Sequence, residues 1–262
     1  MKKLFIILLC LLCVPLFAQR VSTGDAVNKQ WNHTYLNIAM GNATGKTAYR
    51  SYGHNHSLAA TNETVRSLST CTEYLDKGAN LEVFSTSAND DTSGTGIRTV
   101  RIIGLDADWA YATEDITLAG EDTLTTVNEY IRVFGFHGVT CGSGGIAADE
   151  IYIENATNDT TLAAILVNKT RSYSAIFTVP LGKTFYLTQI YASTAAAVLT
   201  NVSLWVRHDG EAWQEKAGMQ VWLSGNTITF DFPYKLEAKT DIELRAKGNT
   251  GDVVAGFQGW YE

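Results

Sequence analysis

The sequence predicts an all-β protein: two antiparallel β-sandwich, jelly-roll-like domains preceded by an extended N-terminal arm. Three observations carry this. From about residue 81 onward, short runs rich in Thr, Val and Ile are separated by clusters of Gly, Asn and Asp, which is strand chemistry punctuated by turn chemistry. Apolar and polar residues alternate with a period of two in several runs, and no stretch sustains a helical period. The chain has only 3 prolines, and strands at such short intervals without intervening helices favour sandwiches or jelly rolls over parallel sheets.

The N-terminus, "MKKLFIILLCLLCVPLFAQR", has two lysines, an apolar run from Leu4 to Val14, and then Pro15 and Ala18 before polar sequence begins. This is the layout of a signal peptide over residues 1–18, with cleavage after Ala18, and the run is too short for a comfortable membrane span. No later stretch is apolar enough to cross a bilayer. The formal net charge is −7, and loss of Lys2 and Lys3 with the leader makes it more negative. Basic residues are scattered singly, so nucleic acid is not an expected partner.

Residues 19–80 are less regular. Their apolar residues are too few and scattered to bury much, so they are expected to form an extended arm. The first sandwich is placed at 81–160. Within it, Val100 and Ile102 are expected to face one side and Thr99 and Arg101 the other. The second sandwich is placed at 161–262. In "FTVPLGKTFYLTQIYAS", Pro180 and Gly182 set a turn and Phe185–Ala192 form the strand that follows. In "NVSLWVRH", Val202, Leu204 and Val206 share a face opposite Ser203, Trp205 and Arg207. In "NTITFDF" the apolar set is Ile228, Phe230 and Phe232. In "TDIELRAK", Ile242, Leu244 and Ala246 alternate with Asp241, Glu243, Arg245 and Lys247, which predicts a strand with one face in water.

Chemistry-bearing motifs are sparse. There is no GxSxG, HExxH, SxxK, Walker loop or helix-opening GxGxxG, so no enzyme is expected. "GSGG" at 142–145 lacks the helix and lysine that hold phosphate. His54 and His56 in "GHNH" would share a strand face, but two histidines with no acidic neighbour in sequence do not make a metal site. No metal or cofactor is expected. Asn89, Asp90, Asp91, Asp106 and Asp108 fall in turns; calcium favours such oxygen-rich places, yet the EF-hand spacing is absent and Asx residues form turns unaided. Cys71 and Cys141 are the cysteines left after leader removal. In an exported chain they either form one disulfide or remain two free thiols.

The chain contains 6 Trp and 12 Tyr, which serve a β core, a subunit interface or a sugar-binding face. Trp109, Trp205, Trp213 and Trp222 are the candidate ligand-binding rings for a surface glycan.

The stretches "VFSTSANDDTSGTGIRTVRIIGLDADW", "ITLAGEDTLTTVNEYIRVFGF" and "GSGG", with "YGHNH" before them and "FTVPLGKTFYLTQIYAST" and "PYKLEAKTDIELRAKGNTGDVVAGFQGWYE" after, together resemble poorly characterised virion structural proteins of tailed, particularly environmental, phages. The resemblance covers most of the chain in the same order. It implies two β-sandwiches, a place on a particle surface or appendage, and no catalytic residues. Combined with the leader, it implies an exported protein, extracellular or on a virion surface, that works as a homo-oligomer or with other assembly subunits. A secreted glycan- or surface-binding sandwich module is the alternative.

Overall fold

The computed structural model describes residues 34–71, 74–156, 160–248 and 251–262. The expected leader and its cleavage point lie outside these residues. The chain divides into two units, one reaching to Ala48 and one running from Tyr49 to Tyr261. In the first, residues 34–39 form a short helical segment. The second is built from antiparallel β-sheets, as the sequence predicts.

Among the described residues the strands form four sheets. One has the order β4 (Tyr74–Ala79), β9 (Tyr130–Cys141), β6 (Ile97–Asp106), β7 (Tyr111–Thr117). Another has the order β11 (Thr160–Ile165), β10 (Ile151–Asn155), β5 (Leu81–Ser85), β8 (Leu124–Thr125). Leu81, Val83, Val100, Ile102, Phe136, Ile151 and Ile153 from these two sheets share one buried core. Val100 and Ile102 are fully buried while Thr99 and Arg101 are half-buried, so the two-residue alternation read from the sequence sets which face is inside.

The third sheet has the order β12 (Ile176–Thr178), β17 (Thr240–Lys247), β14 (Thr200–His208), β15 (Gln214–Val221), with β3 (Glu63–Thr64) also on β17. The fourth has the order β1 (Thr47–Arg50), β18 (Val253–Tyr261), β13 (Phe185–Thr194), β16 (Gly225–Leu236), with β2 (Gly53–Asn55) also on β18. Their shared core includes Phe177, Phe185, Leu187, Ile190, Val202, Leu204, Ile242, Leu244 and Phe257. The segment read as an arm thus supplies β1, β2 and β3 to these two sheets and β4 to the first. β11 begins at the expected domain boundary and pairs with β10 on the first side of it.

The turn before β13 forms as expected: Lys183 N donates to Pro180 O at 3.1 Å, and Gly182 has φ +74°, the third-position geometry of a type II turn. Leu187 and Ile190 both face the core although they stand three positions apart. A register shift between Leu187 and Gln189 inserts Thr188 as a bulge, which reverses the facing of everything after it. Thr188 Oγ1 donates to Gln258 O at 3.0 Å and anchors the bulge.

The same shift disrupts β16. Thr229 pairs with Gln189 and Tyr234 with Leu187, so Phe230 to Pro233 stand opposite Thr188 alone. This corrects the expected Ile228, Phe230, Phe232 face. Ile228 and Phe230 pack on the core, whereas Phe232 rides the excursion and is 89% exposed.

A second correction concerns β17. Its alternation is present, but the polar face is not in water: Asp241 is 0% exposed and Glu243 1%. β17 is an interior strand, with β14 on one side and β12 and β3 on the other, and its polar face is covered by side chains from β4, β9 and β14.

Candidate functional site

The cover over β17 begins with register. Trp205 lies opposite Glu243, Arg207 opposite Asp241 and Ser203 opposite Arg245 across β14 and β17, so the odd-numbered residues of both strands share one face. Tyr74 pairs with Arg132 across β4 and β9, and both reach onto that face. Arg132 Nε and Nη2 donate to the two oxygens of Asp241 at 2.9 and 3.1 Å. Its Nη1 donates to Leu75 O and Ile131 O, both at 2.8 Å.

Asp241 also accepts from Arg207 Nη2 at 2.6 Å and from the Thr178 hydroxyl at 2.6 Å. Glu243 pairs with Arg245 and accepts from the Tyr74 hydroxyl at 3.0 Å and Thr64 at 3.2 Å. Both carboxylates are therefore surrounded by donors, the condition under which burial of charge is tolerated. Burial, reinforced by Glu243 and Asp241, holds the Tyr74 phenol well above its ordinary range, so it remains a donor.

Aromatic rings alternate with the cations. Trp109 lies between Lys239 (5.0 Å) and Arg132 (4.7 Å), and Tyr74 between Arg132 (4.9 Å) and Arg207 (4.6 Å). Trp213 lies between Arg207 (4.7 Å) and Arg245 (4.8 Å), and Trp205 closes the series on Arg245 at 4.6 Å. The result is an unbroken ladder of four cations and four rings over two buried carboxylates. Each such contact contributes roughly 0.5–2 kcal/mol according to its exposure. Arg132 and Tyr74 come from one pair of sheets and the other members of the ion network mostly from the other, so the ladder clamps the two together.

Three of the four candidate ligand-binding rings are consumed here. Trp109 is 7% exposed, with φ +63°. The turn "GLDADW" puts it there, since Asp106 Oδ1 accepts from the backbone N of Asp108 and of Ala110, both at 2.9 Å. Trp205 and Trp213 are half-buried under guanidinium groups. Only Trp222, 57% exposed, presents its ring freely, beside Leu223 in the turn before β16.

The remaining candidates separate in space. Asp90 is fully buried and accepts from Ser85 Oγ at 2.8 Å, Ile97 N at 2.7 Å and Ala148 N at 3.0 Å; it organises its loop, as an Asx turn former does. Cys71 and Cys141 are both free thiols. Cys71 lines a recess with Phe134 and Phe136 of β9, while Cys141 ends that strand five residues on, about 17 Å away along an extended chain. A disulfide needs Cα atoms within about 7 Å. Burial raises the Cys71 thiol pKa, against a smaller opposing effect of Arg66, and Cys141 is exposed. Brief alkylation of the native protein at pH 8 is therefore expected to label Cys141 and spare Cys71 in peptide mapping, with both labelled after denaturation.

His54 and His56 do share a face, with ring centroids 3.7 Å apart. What the sequence could not show is that Asp252 stands beside them, its Oδ1 3.4 Å from His54 Nε2 and 3.1 Å from His56 Nδ1. Burial and the neighbouring His56 lower the His54 pKa, with Asp252 opposing.

No protein-family model matches the chain, and no curated protein matches it. Among solved structures it is similar to a chain of the T13 IBDV viral particle, with 8% identity, coverage of 86% of this chain and 78% of that one, and a TM-score of 0.20. It is also similar to a chain of infectious bursal disease virus, Gx strain, with 8% identity, coverage of 82% and 71%, and a TM-score of 0.18. Among the described residues, no helix is long and apolar enough to cross a membrane.

Proposed function

We propose that this protein is a non-enzymatic structural subunit of a virion or similar extracellular assembly, acting by self-association of two β-sandwich domains. The observation that carries the reading is the margin of β16. This strand ends its sheet, and large apolar side chains project along it: Trp222 is 57% exposed, Leu223 55% and Phe232 89%. Leu223 N donates to Ala196 O at 3.3 Å, and the loop it meets exposes Leu199 as well. Apolar groups gathered at one tip and one edge are the features a subunit interface covers.

The occupant is a second copy of the chain. Gly225 to Thr229 is a regular edge whose outer backbone groups face no strand among the described residues, and an identical edge offers matching donors and acceptors in an isologous pair. Pro233 and the Phe230–Pro233 excursion limit such pairing to the first half of the strand, leaving Phe232 as a knob beyond it. The glycan-binding alternative is left with one free ring of its four, since the ladder occupies Trp109, Trp205 and Trp213.

The reading is tested by fractionating the producing culture on a density gradient and mapping the protein by peptide mass spectrometry. Sedimentation with particles or filaments, with the chain starting at Gln19, is expected. A chain found free at the top of the gradient would instead favour the secreted binding module.

A further inference from the structure

We propose that His54, His56 and Asp252 form a binding site for a divalent transition-metal cation of the zinc class. One potential ligand atom from each residue lies within 4.8 Å of the others. Zinc holds nitrogen and carboxylate oxygen at about 2.0–2.2 Å, so neighbouring ligands of a tetrahedral ion stand about 3.3–3.5 Å apart. The two separations to Asp252 Oδ1, 3.4 and 3.1 Å, are close to that edge length, and a small closure of the two rings completes the triangle.

One ligand lies on paired backbone and the other two directly flank it. His54 pairs with Val254 and Asn55 with Val253 across β2 and β18, which fixes the strand bearing His54, with His56 directly after its end, against the one that Asp252 precedes. The chain after His56 is turned by Asn55, whose Oδ1 accepts from Ser57 N at 2.8 Å and whose Nδ2 donates to Glu63 at 3.1 Å. On the other side, Thr194 Oγ1 donates to Asp252 O at 2.8 Å. Backbone held from both flanks limits the reorganisation needed on binding an ion.

Access and chemistry also fit. The Asp252 carboxylate is more than half exposed and both imidazoles are mostly covered, so an ion can enter from solvent on the carboxylate side. His56 Nε2 is buried with no hydrogen-bond partner among the described residues, so reorienting the ring toward an ion breaks no other bond of that nitrogen. Two imidazoles and one carboxylate suit zinc and its neighbours rather than calcium or magnesium, which favour all-oxygen shells. Three protein ligands leave a fourth position for water.

The test is a zinc titration of the purified protein by calorimetry, together with NMR of the histidine ring protons. One zinc per chain is expected, with the resonances of His54 and His56 changing by one equivalent while those of His137 and His208 stay in place. The single variants His54→Ala, His56→Ala and Asp252→Ala should each weaken binding by at least about tenfold. Unmoved His54 and His56 resonances at one equivalent would overturn the proposal, as would equal affinity in the folded variants. Should a variant fail to fold, the ring-proton titration of the unaltered protein still decides.

Discussion

Replacing Asp241 with alanine is expected to destabilise the protein by about 3–5 kcal/mol, the cost of removing one partner from a buried ion pair. Asp241 has no exposed surface and is the shared acceptor of Arg132, Arg207 and Thr178. Without it, the almost fully buried guanidinium of Arg132 keeps its two carbonyl partners and loses its counter-charge. The loss is read as the shift in midpoint of a urea unfolding curve. Asp241→Asn should cost less, because an amide oxygen still accepts hydrogen bonds. A midpoint unchanged by Asp241→Ala would mean that the ion network does not hold the sheets together.

The second large effect is expected at the assembly surface. Phe232→Glu combined with Trp222→Glu places charge on the two most projecting groups of the β16 margin. Both side chains are exposed, so the folded subunit should lose no more than about 0.5 kcal/mol. Self-association should nonetheless be abolished, because the charges cannot be buried in an apolar contact without a partner. Unfolding curves and particle yield, measured on the same preparation, separate the two consequences.

The β class was legible because alternation is a local property: Val100 and Ile102, or Val202 and Leu204, reveal their buried face within a few residues. What covers the other face is not local. "TDIELRAK" has the pattern of a half-wet strand, and the same pattern serves when Arg132 and Tyr74, more than a hundred residues away in sequence, close over it. The lone arginine in "YIRVFGF", set among apolar strand residues, was the available clue, since a buried arginine requires a carboxylate.

Phe232 shows a different limit. Its alternation with Ile228 and Phe230 is correct on paper, but an unpaired Thr188 on the neighbouring strand changes the register, and a bulge on one strand leaves no mark in the sequence of its partner. The histidine pair was visible at His54 and His56, and its carboxylate was not, because β2 meets β18 only in the fold. Of the tryptophans named as candidate ligand-binding rings, Trp109, Trp205 and Trp213 stack on cationic side chains, an arrangement that only the register of β14 on β17 and the contact with β9 reveal.

Sedimentation velocity of the purified protein over a wide concentration range, alongside the Phe232→Glu, Trp222→Glu double variant, tests self-association most directly. If self-association runs through the β16 margin, the unaltered protein sediments as growing oligomers with rising concentration while the folded double variant remains a monomer. A strictly monomeric wild-type chain at the highest concentration, or a double variant that assembles as readily as the wild type, would contradict it.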